Sequence, residues 1–285
     1  MVGSLFTEEC SGNRPLSLDK LLNIDELIRA GATRRELAQA HLQAEVRRRE
    51  EVLRRAVRRY VSPQLAERIL EDVQLRETLL SANDLRTHAV VLFADLRGFT
   101  GLSERLEPRQ VVPLLNEYFS LLTEITLRHD GTVFHMAGDC LMLGFGVPLE
   151  QPDGPGRAVR AAQEMLSSFA ELAGSWVGRY GVEAGLGIGI NEGDVVAGNI
   201  GSSSYMSYTL IGDTVNVAAR LCQRARAGEM LFSRTIKQSL DALGVDVGAT
   251  ALPPIQLRGS SRTIDIFCVP AAAPRLHITA DPVAV

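Results

Sequence analysis

An apolar run that ends in a single carboxylate constrains this chain most. Residues 90–94 are Val-Val-Leu-Phe-Ala, Asp95 follows, and Gly98 comes three residues later. A short, bounded run of this kind predicts a buried strand, although periodicity alone does not separate it from buried helix. We expect Asp95 to lie where the strand leaves the core and Gly98 to allow a tight turn.

Two interpretations of this corner are open. Free amide groups after the strand, near the start of a helix, suit phosphate oxygens, and a carboxylate there can hold a divalent cation that bridges the same phosphates. Alternatively, Asp95 caps the next helix. The residues that follow it are Leu96, Arg97, Gly98, Phe99 and Thr100.

A glycine–aspartate pair within residues 131–145 predicts a hairpin turn. Apolar runs flank Gly138 and Asp139, and this dipeptide between two such runs is a strong short-range hairpin signal. The turn places a second carboxylate at a strand end. Asp95 and Asp139 are therefore candidates to share one pair of metal ions.

Residues 208–220 run from a predicted strand into a predicted helix. Asn216 and Arg220 lie four positions apart, so they project from one helical face. They are either ordinary exposed helix residues or part of a site.

Together these stretches resemble the catalytic domain of the class III nucleotidyl cyclases. The matched segments are FADLRGFT (93–100), the hairpin with GD (138–139) and IGDTVNVAAR (211–220), in the family's order and spacing. Each is weak singly, and jointly they are highly specific. The resemblance implies an α+β, ferredoxin-like (palm-like) domain, with a central, mostly antiparallel sheet and flanking helices.

The resemblance also implies a reaction. The ribose 3′-hydroxyl of a nucleoside triphosphate attacks the α-phosphate and expels pyrophosphate, with two Mg²⁺ or Mn²⁺ ions per site. Asp95 and Asp139 match the metal-binding aspartates, and Leu96 is assigned to the same metal site. Asn216 and Arg220 match the catalytic pair that orients the ribose and stabilises charge on the phosphate.

Substrate contacts are expected at two further places. The corner at 96–100 offers its amides to the triphosphate. Arg258 aligns with a family lysine that contacts the triphosphate, and its guanidinium keeps the charge. The alternative for Arg258 is a plain surface arginine.

Base recognition departs from the family pattern. Similar adenylate cyclases have a lysine four residues before the second metal aspartate, where this chain has His135. The partner position, often aspartate, is Thr209. A neutral imidazole can donate to adenine N1, and a threonine can accept from the 6-amino group. This favours ATP as substrate. The alternative for His135 is a hairpin side chain without base contact.

An α-helical and coiled-coil segment is predicted over residues 1–84. Thr33 and Glu36 form a capping box, so we expect a helix from about Arg34 to about Tyr60. Its apolar positions recur at steps of four and three, as in a coiled-coil seam interrupted by one arginine. The seam is formed by Leu42, Val46, Arg49, Leu53, Ala56 and Tyr60.

The seven arginines at 47–59 form a solvated flank or, alternatively, a membrane or nucleic-acid surface. The catalytic domain is predicted over 85–270, and 271–285 is predicted to be a disordered tail. Within the domain, the glycine-alternating stretch 182–200 predicts a strand with one bare face, against which a helix can pack closely.

Composition limits the classes that remain. A formal net charge of −4 argues against broad nucleic-acid binding. The four cysteines are far apart and predict free thiols in a reducing, cytoplasmic compartment. No run approaches the roughly 18–20 apolar residues of a transmembrane helix, and we expect none.

The sequence therefore predicts an adenylate cyclase that converts ATP to cyclic AMP. The resemblance implies a homodimer in which one subunit supplies the aspartates and the other supplies Asn216 and Arg220. A catalytically weak, nucleotide-binding homologue acting as a regulatory or heterodimer partner is one alternative. Another two-metal enzyme of palm-like fold, such as a diguanylate cyclase or polymerase, is a second, which the absence of a GGDEF-like turn disfavours.

Overall fold

The computed structural model describes residues 39, 41–48, 85–148, 150–202, 205–256 and 263–270. The chain divides into two units, Met1–Val57 and Arg58–Val285. Most of the predicted N-terminal helix, Arg258 and the predicted tail lie outside the described residues. The domain boundaries expected from the sequence stay predictions.

In the first unit, residues 41–48 are helical. Leu42 and Val46 belong to the predicted seam and are 64% and 49% exposed. The other seam residues lie outside the described part, so the coiled coil stays a prediction. No helix among the described residues of the whole chain is long and apolar enough to cross a membrane.

The second unit is built on a mixed sheet with the order β2-β3-β1-β4-β6-β8-β7, and β5 pairs with β4. Neighbouring strands are antiparallel except for β4 and β6, which confirms the predicted sheet type. The strands are β1 (Leu85–Arg97), β2 (Thr132–Ala137), β3 (Cys140–Phe145), β4 (Gly185–Ser202), β5 (Tyr205–Ile211), β6 (Glu229–Ser233), β7 (Thr250–Gln256) and β8 (Thr263–Pro270).

Helices cover both faces of this sheet. They are α1 (Phe99–Arg105), α2 (Pro108–Arg128), α3 (Gly154–Tyr180), α4 (Asp213–Arg224) and α5 (Arg234–Ala242). A capping box between Glu107 and Gln110 starts α2, which continues past Pro113. The α+β architecture expected from the sequence is confirmed.

Alternation along β1 decides which residues reach which face. Leu92, Ala94 and Leu96 are buried in the main core, which α2 and α3 also line. Because successive side chains of a strand point to opposite faces, Asp95 and Arg97 face the other side of the sheet. Helix α4 packs on that side, against β4 and β1.

The bare face of β4 admits α4 at unusually short range, as the sequence predicted. A Cβ on Gly189 would collide with the backbone of α4, at the amide nitrogen of Cys222 and the carbonyl oxygen of Ala218, and it would lie 2.7 Å from the Cys222 Cα. These are backbone atoms, which cannot rotate away. Glycine at position 189 therefore sets the distance between helix and sheet.

Replacing Gly189 with alanine should destabilise the domain by about 3 kcal/mol, because the helix must move off the sheet. Thermal or urea unfolding measures this loss. Gly174→Ala is a matched control: Gly174 lies inside α3 with nothing within 4 Å of an added Cβ. That substitution should stabilise by about 0.5–1 kcal/mol. Equal effects of the two substitutions would contradict this account.

Candidate active site

The corner after β1 has the predicted shape. Gly98 is the N-cap of α1, with a left-handed φ of 86°, and its carbonyl accepts a hydrogen bond from the Leu102 amide at 3.0 Å. Asp95 lies two residues before the strand ends. The alternative that Asp95 caps the next helix is not supported, since α1 has no side-chain cap.

The hairpin turn brings Asp139 to Asp95. Ala137 pairs with Cys140 across the turn, and the β1–β3 ladder ends at the pair Ala94–Leu141. Asp95 and Asp139 therefore both lie just beyond that last pair. Partial burial, followed by the charge of nearby Asp95, raises the pKa of Asp139.

Arg97 joins this pair from the same strand face. Its Nη1 donates to Asp95 Oδ2, and its Nε donates to the carbonyl oxygen of Ala225 at 2.8 Å. Its Nη2 donates to the carbonyl oxygen of Cys222. The predicted contact between the amide of residue 97 and phosphate stays a prediction, and the Arg97 side chain bridges Asp95 to the C-terminal end of α4.

The two predicted base-recognition residues lie on β2 and β5, which are not paired with each other in the sheet but are in contact. The rings of Phe134 on β2 and Tyr208 on β5 stack with centroids 5.9 Å apart. His135 and Thr209 follow these aromatic residues directly. His135 is exposed and Thr209 is half-buried, so solvent reaches both side chains.

Helix α4 presents the predicted catalytic pair away from its packed face. Val217 and Ala218 are buried against the sheet, whereas Asn216 is exposed. Arg220 is half-buried and takes part in an interaction. The helical spacing expected from the sequence is confirmed, since both residues lie within α4.

The remaining predicted site residues are Leu96, Phe99 and Thr100, at the corner after β1, and Arg258. The Leu96 side chain is buried in the main core, so only its main chain can face the carboxylates. Phe99 packs against the same core, and Thr100 is exposed in the first turn of α1. Arg258 is not among the described residues.

Two thiols lie beside the carboxylates, and sequence reasoning did not include them. Burial, with the charges of Asp95 and Asp139, raises the pKa of Cys140 to about 11. Burial raises the pKa of Cys222 to about 12. Both thiols are therefore neutral near pH 7 and are not activated as nucleophiles. Cys222 donates to the Gly187 carbonyl at 3.4 Å.

The carboxylate pair fits a hard divalent cation. Within the described ranges, no three His, Cys, Asp or Glu side chains form a group that could hold a metal ion alone. Mg²⁺ is commonly held by one or two carboxylates, with waters and substrate phosphates completing its shell. The charge of Asp95 contributes to the raised pKa of Asp139. A cation bound between the two carboxyl groups would reduce the repulsion between their charges.

The raised pKa of Asp139 predicts a stability effect. The folded protein binds this proton more tightly than the unfolded chain, so stability is lost as pH rises from the ordinary value of 3.8 through the folded value. In chelator at pH 7, Asp139→Asn should therefore raise the melting temperature. The gain should shrink as pH falls toward 3.8. A lower melting temperature at pH 7 would show that the ionised pair is favourable.

Comparison with known proteins agrees with this geometry. The family described as "Adenylate and Guanylate cyclase catalytic domain" matches residues 84–269. Among solved structures, the adenylyl cyclase CyaB from P. aeruginosa is 32% identical with a TM-score of 0.63, over 68% of this chain and 99% of that one. The guanylyl cyclase Cya2 is 32% identical with a TM-score of 0.61, over 68% and 97%.

Curated relatives are longer than the region they share with this chain. "Adenylate cyclase 1" of Rhizobium meliloti is 35% identical over 140 residues, which are 48% of this chain and 20% of that protein. The uncharacterized protein Rv1318c of Mycobacterium tuberculosis is 35% identical over 157 residues, which are 54% and 27%. Since the family match spans well over half of the chain, this protein belongs to the adenylate and guanylate cyclase catalytic domain family.

Proposed function

We propose that this protein is an adenylate cyclase that converts ATP to 3′,5′-cyclic AMP and pyrophosphate at a homodimer interface. The observation that carries the proposal is the position of Asp95 and Asp139, which lie together beyond the last pair of the β1–β3 ladder, where the charge of Asp95 acts on Asp139. They are the pair that a two-cation phosphoryl transfer requires.

The choice of nucleotide depends on two residues. Similarity to known proteins does not decide it, because CyaB is an adenylyl cyclase and Cya2 a guanylyl cyclase at equal identity. His135 can donate one N–H to adenine N1, and the Thr209 hydroxyl can accept from the 6-amino group. Guanine presents the opposite donor and acceptor pattern on this edge and would require the imidazole to accept and the hydroxyl to donate. We propose the adenine arrangement, with ATP as the substrate.

Each residue has a part in the chemistry. Bound divalent cations would acidify the ribose 3′-hydroxyl and neutralise the triphosphate. Asp95 and Asp139 hold these cations, and the amides of 96–100 with Arg258 contact the phosphates. Asn216 orients the ribose, and Arg220 stabilises the charge that develops on the α-phosphate. Losing one such preorganised donor costs about 10²–10³-fold in turnover.

Exposed apolar side chains support a second copy as the partner. Met136, Ile200 and Ile211 are 45%, 45% and 46% exposed. Met136 lies on β2, the strand of His135; Ile211 lies on β5, the strand of Thr209; and Ile200 lies on β4, which pairs with β5. In the proposed dimer, another copy covers this surface and presents its α4 to the carboxylates. Leu42 and Val46 would add coiled-coil contacts.

A second candidate function rests on His135. It is exposed and replaces the lysine of similar adenylate cyclases, so the protein could bind nucleotide and turn it over poorly as a regulatory or heterodimer partner. Assay with Mn²⁺ and ATP separates the two candidates, since only a cyclase yields cyclic AMP.

Subunit complementation tests the proposal. Asp95→Ala and Asn216→Ala should each abolish cyclic AMP formation from Mn²⁺ and ATP, measured by chromatography. Mixed and allowed to exchange, they should recover activity, because the mixed dimer contains one site with both lesions and one with neither. Asp95→Ala mixed with Asp139→Ala is the matched control: these lesions share a subunit's half-site, and the mixture should stay inactive.

Heterodimer formation is verified by giving the two variants different affinity tags and purifying them together through both tags. Heterodimers without recovered activity would argue for a site within one chain. Absence of any cyclic nucleotide from wild-type protein with ATP or GTP would instead favour the second candidate.

Substitution of His135 tests the base contact. His135→Lys should preserve or raise ATP turnover, because lysine restores the family's usual donor. His135→Ala should lower the preference for ATP over GTP about fivefold, the effect of one lost hydrogen bond of about 1 kcal/mol. The ratio of kcat/KM values for the two nucleotides measures this. An unchanged ratio in His135→Ala would place base selection elsewhere and remove Thr209 as its partner.

A further inference from the structure

The Arg97 guanidinium is fixed on three sides and has no second position to occupy without breaking contacts. Two of its nitrogens donate to carbonyls at the C-terminal end of α4, from Cys222 and Ala225. The C-terminal end of a helix favours a positive charge. The guanidinium also lies against the bare face at Gly187, where an added Cβ would be 2.6 Å from Nε and 2.7 Å from Cζ.

The remaining nitrogen, Nη1, is paired with Asp95 Oδ2. A cation held by Asp95 and Asp139 must therefore share the Asp95 carboxylate with a guanidinium that α4 holds in place. The charges of the two carboxylates and Arg97 sum to −1, instead of the −2 that the aspartates alone would provide.

We propose that Arg97 is an internal counter-ion that weakens divalent-cation binding to the nucleotide-free site, so that cations are retained with the phosphates of a nucleotide. The inference rests on the proposed function, because it takes Asp95 and Asp139 as cation ligands. Arg97 acts through Asp95 and is a positioning residue.

Two opposing effects decide whether Arg97 lowers or raises the affinity of the site for a cation. Repulsion between a unit charge and a double charge about 5 Å apart lowers cation affinity about tenfold even with the screening of bulk water. Holding Asp95 in one rotamer raises the affinity, but by less, about threefold. Repulsion is the larger effect, so removing the charge of Arg97 strengthens cation binding.

The test uses the full chain without nucleotide. Arg97→Gln should bind Mn²⁺ several-fold to about tenfold more tightly, measured by the electron paramagnetic resonance of free Mn²⁺. The same variant should melt at a lower temperature in chelator, because two α4 carbonyls lose their donor. A purely structural role predicts weaker or unchanged Mn²⁺ binding together with the lower melting temperature.

Two further variants separate charge from geometry. Arg97→Lys keeps the charge without the planar fork, and its Mn²⁺ affinity should stay within about threefold of wild type. Gly187→Ala keeps Arg97 but displaces its guanidinium from Asp95, so Mn²⁺ binding should become tighter. It also provides the test if Arg97→Gln does not fold. Arg157→Gln is the matched control, because Arg157 forms a similar half-buried ion pair with Asp130.

Arg157→Gln should lower the melting temperature without changing Mn²⁺ affinity. Weaker or unchanged Mn²⁺ binding in Arg97→Gln would overturn the inference. If Arg97→Gln does not fold, the same result in Gly187→Ala would overturn it. Asp95→Asn distinguishes this failure from failure of the proposed function. If Asp95→Asn leaves Mn²⁺ affinity unchanged, Asp95 is not a cation ligand and the cation site itself is misassigned.

Discussion

The close approach of α4 to β4 is the constraint on which the candidate site depends. Gly189 lets the helix backbone reach the sheet, and only at that distance do the carbonyls of Cys222 and Ala225 reach Arg97. Arg97 in turn holds Asp95. The orientation of one carboxylate on β1 therefore follows from the absence of a side chain on the neighbouring strand β4.

Local signals were sufficient for the elements that form the site. The apolar run before Asp95, the glycine–aspartate turn at 138–139 and the strand-to-helix change near Gly212 each depend on a few adjacent residues, and all three are confirmed. Strand β7 was missed because Pro253 and Pro254 argue against a strand. It forms at the edge of the sheet, where among the described strands it pairs with β8 alone, through an irregular register, and an edge tolerates proline.

Contacts between distant residues explain what the sequence did not reveal. The meeting of Asp95 and Asp139 was predictable once two strand ends were recognised. The partners of Arg97 were not, because they are main-chain carbonyls 125 and 128 positions away, and a carbonyl carries no residue-specific signal. The alternating glycines offered a partial clue: Gly189 indicated close helix packing, whereas the space above Gly187 is filled by Arg97 itself.

This arrangement joins two halves of the proposed chemistry within one subunit. Asp95 would serve one site of the dimer, while Asn216 and Arg220 on α4 would serve the other. Arg97 contacts both Asp95 and the end of α4, so a shift of either element changes the hydrogen bonds of the same guanidinium. A cation that draws Asp95 away from Arg97 would leave that guanidinium to α4 alone. In the proposed dimer, the two sites would then be linked through the contacts of Arg97 within one subunit.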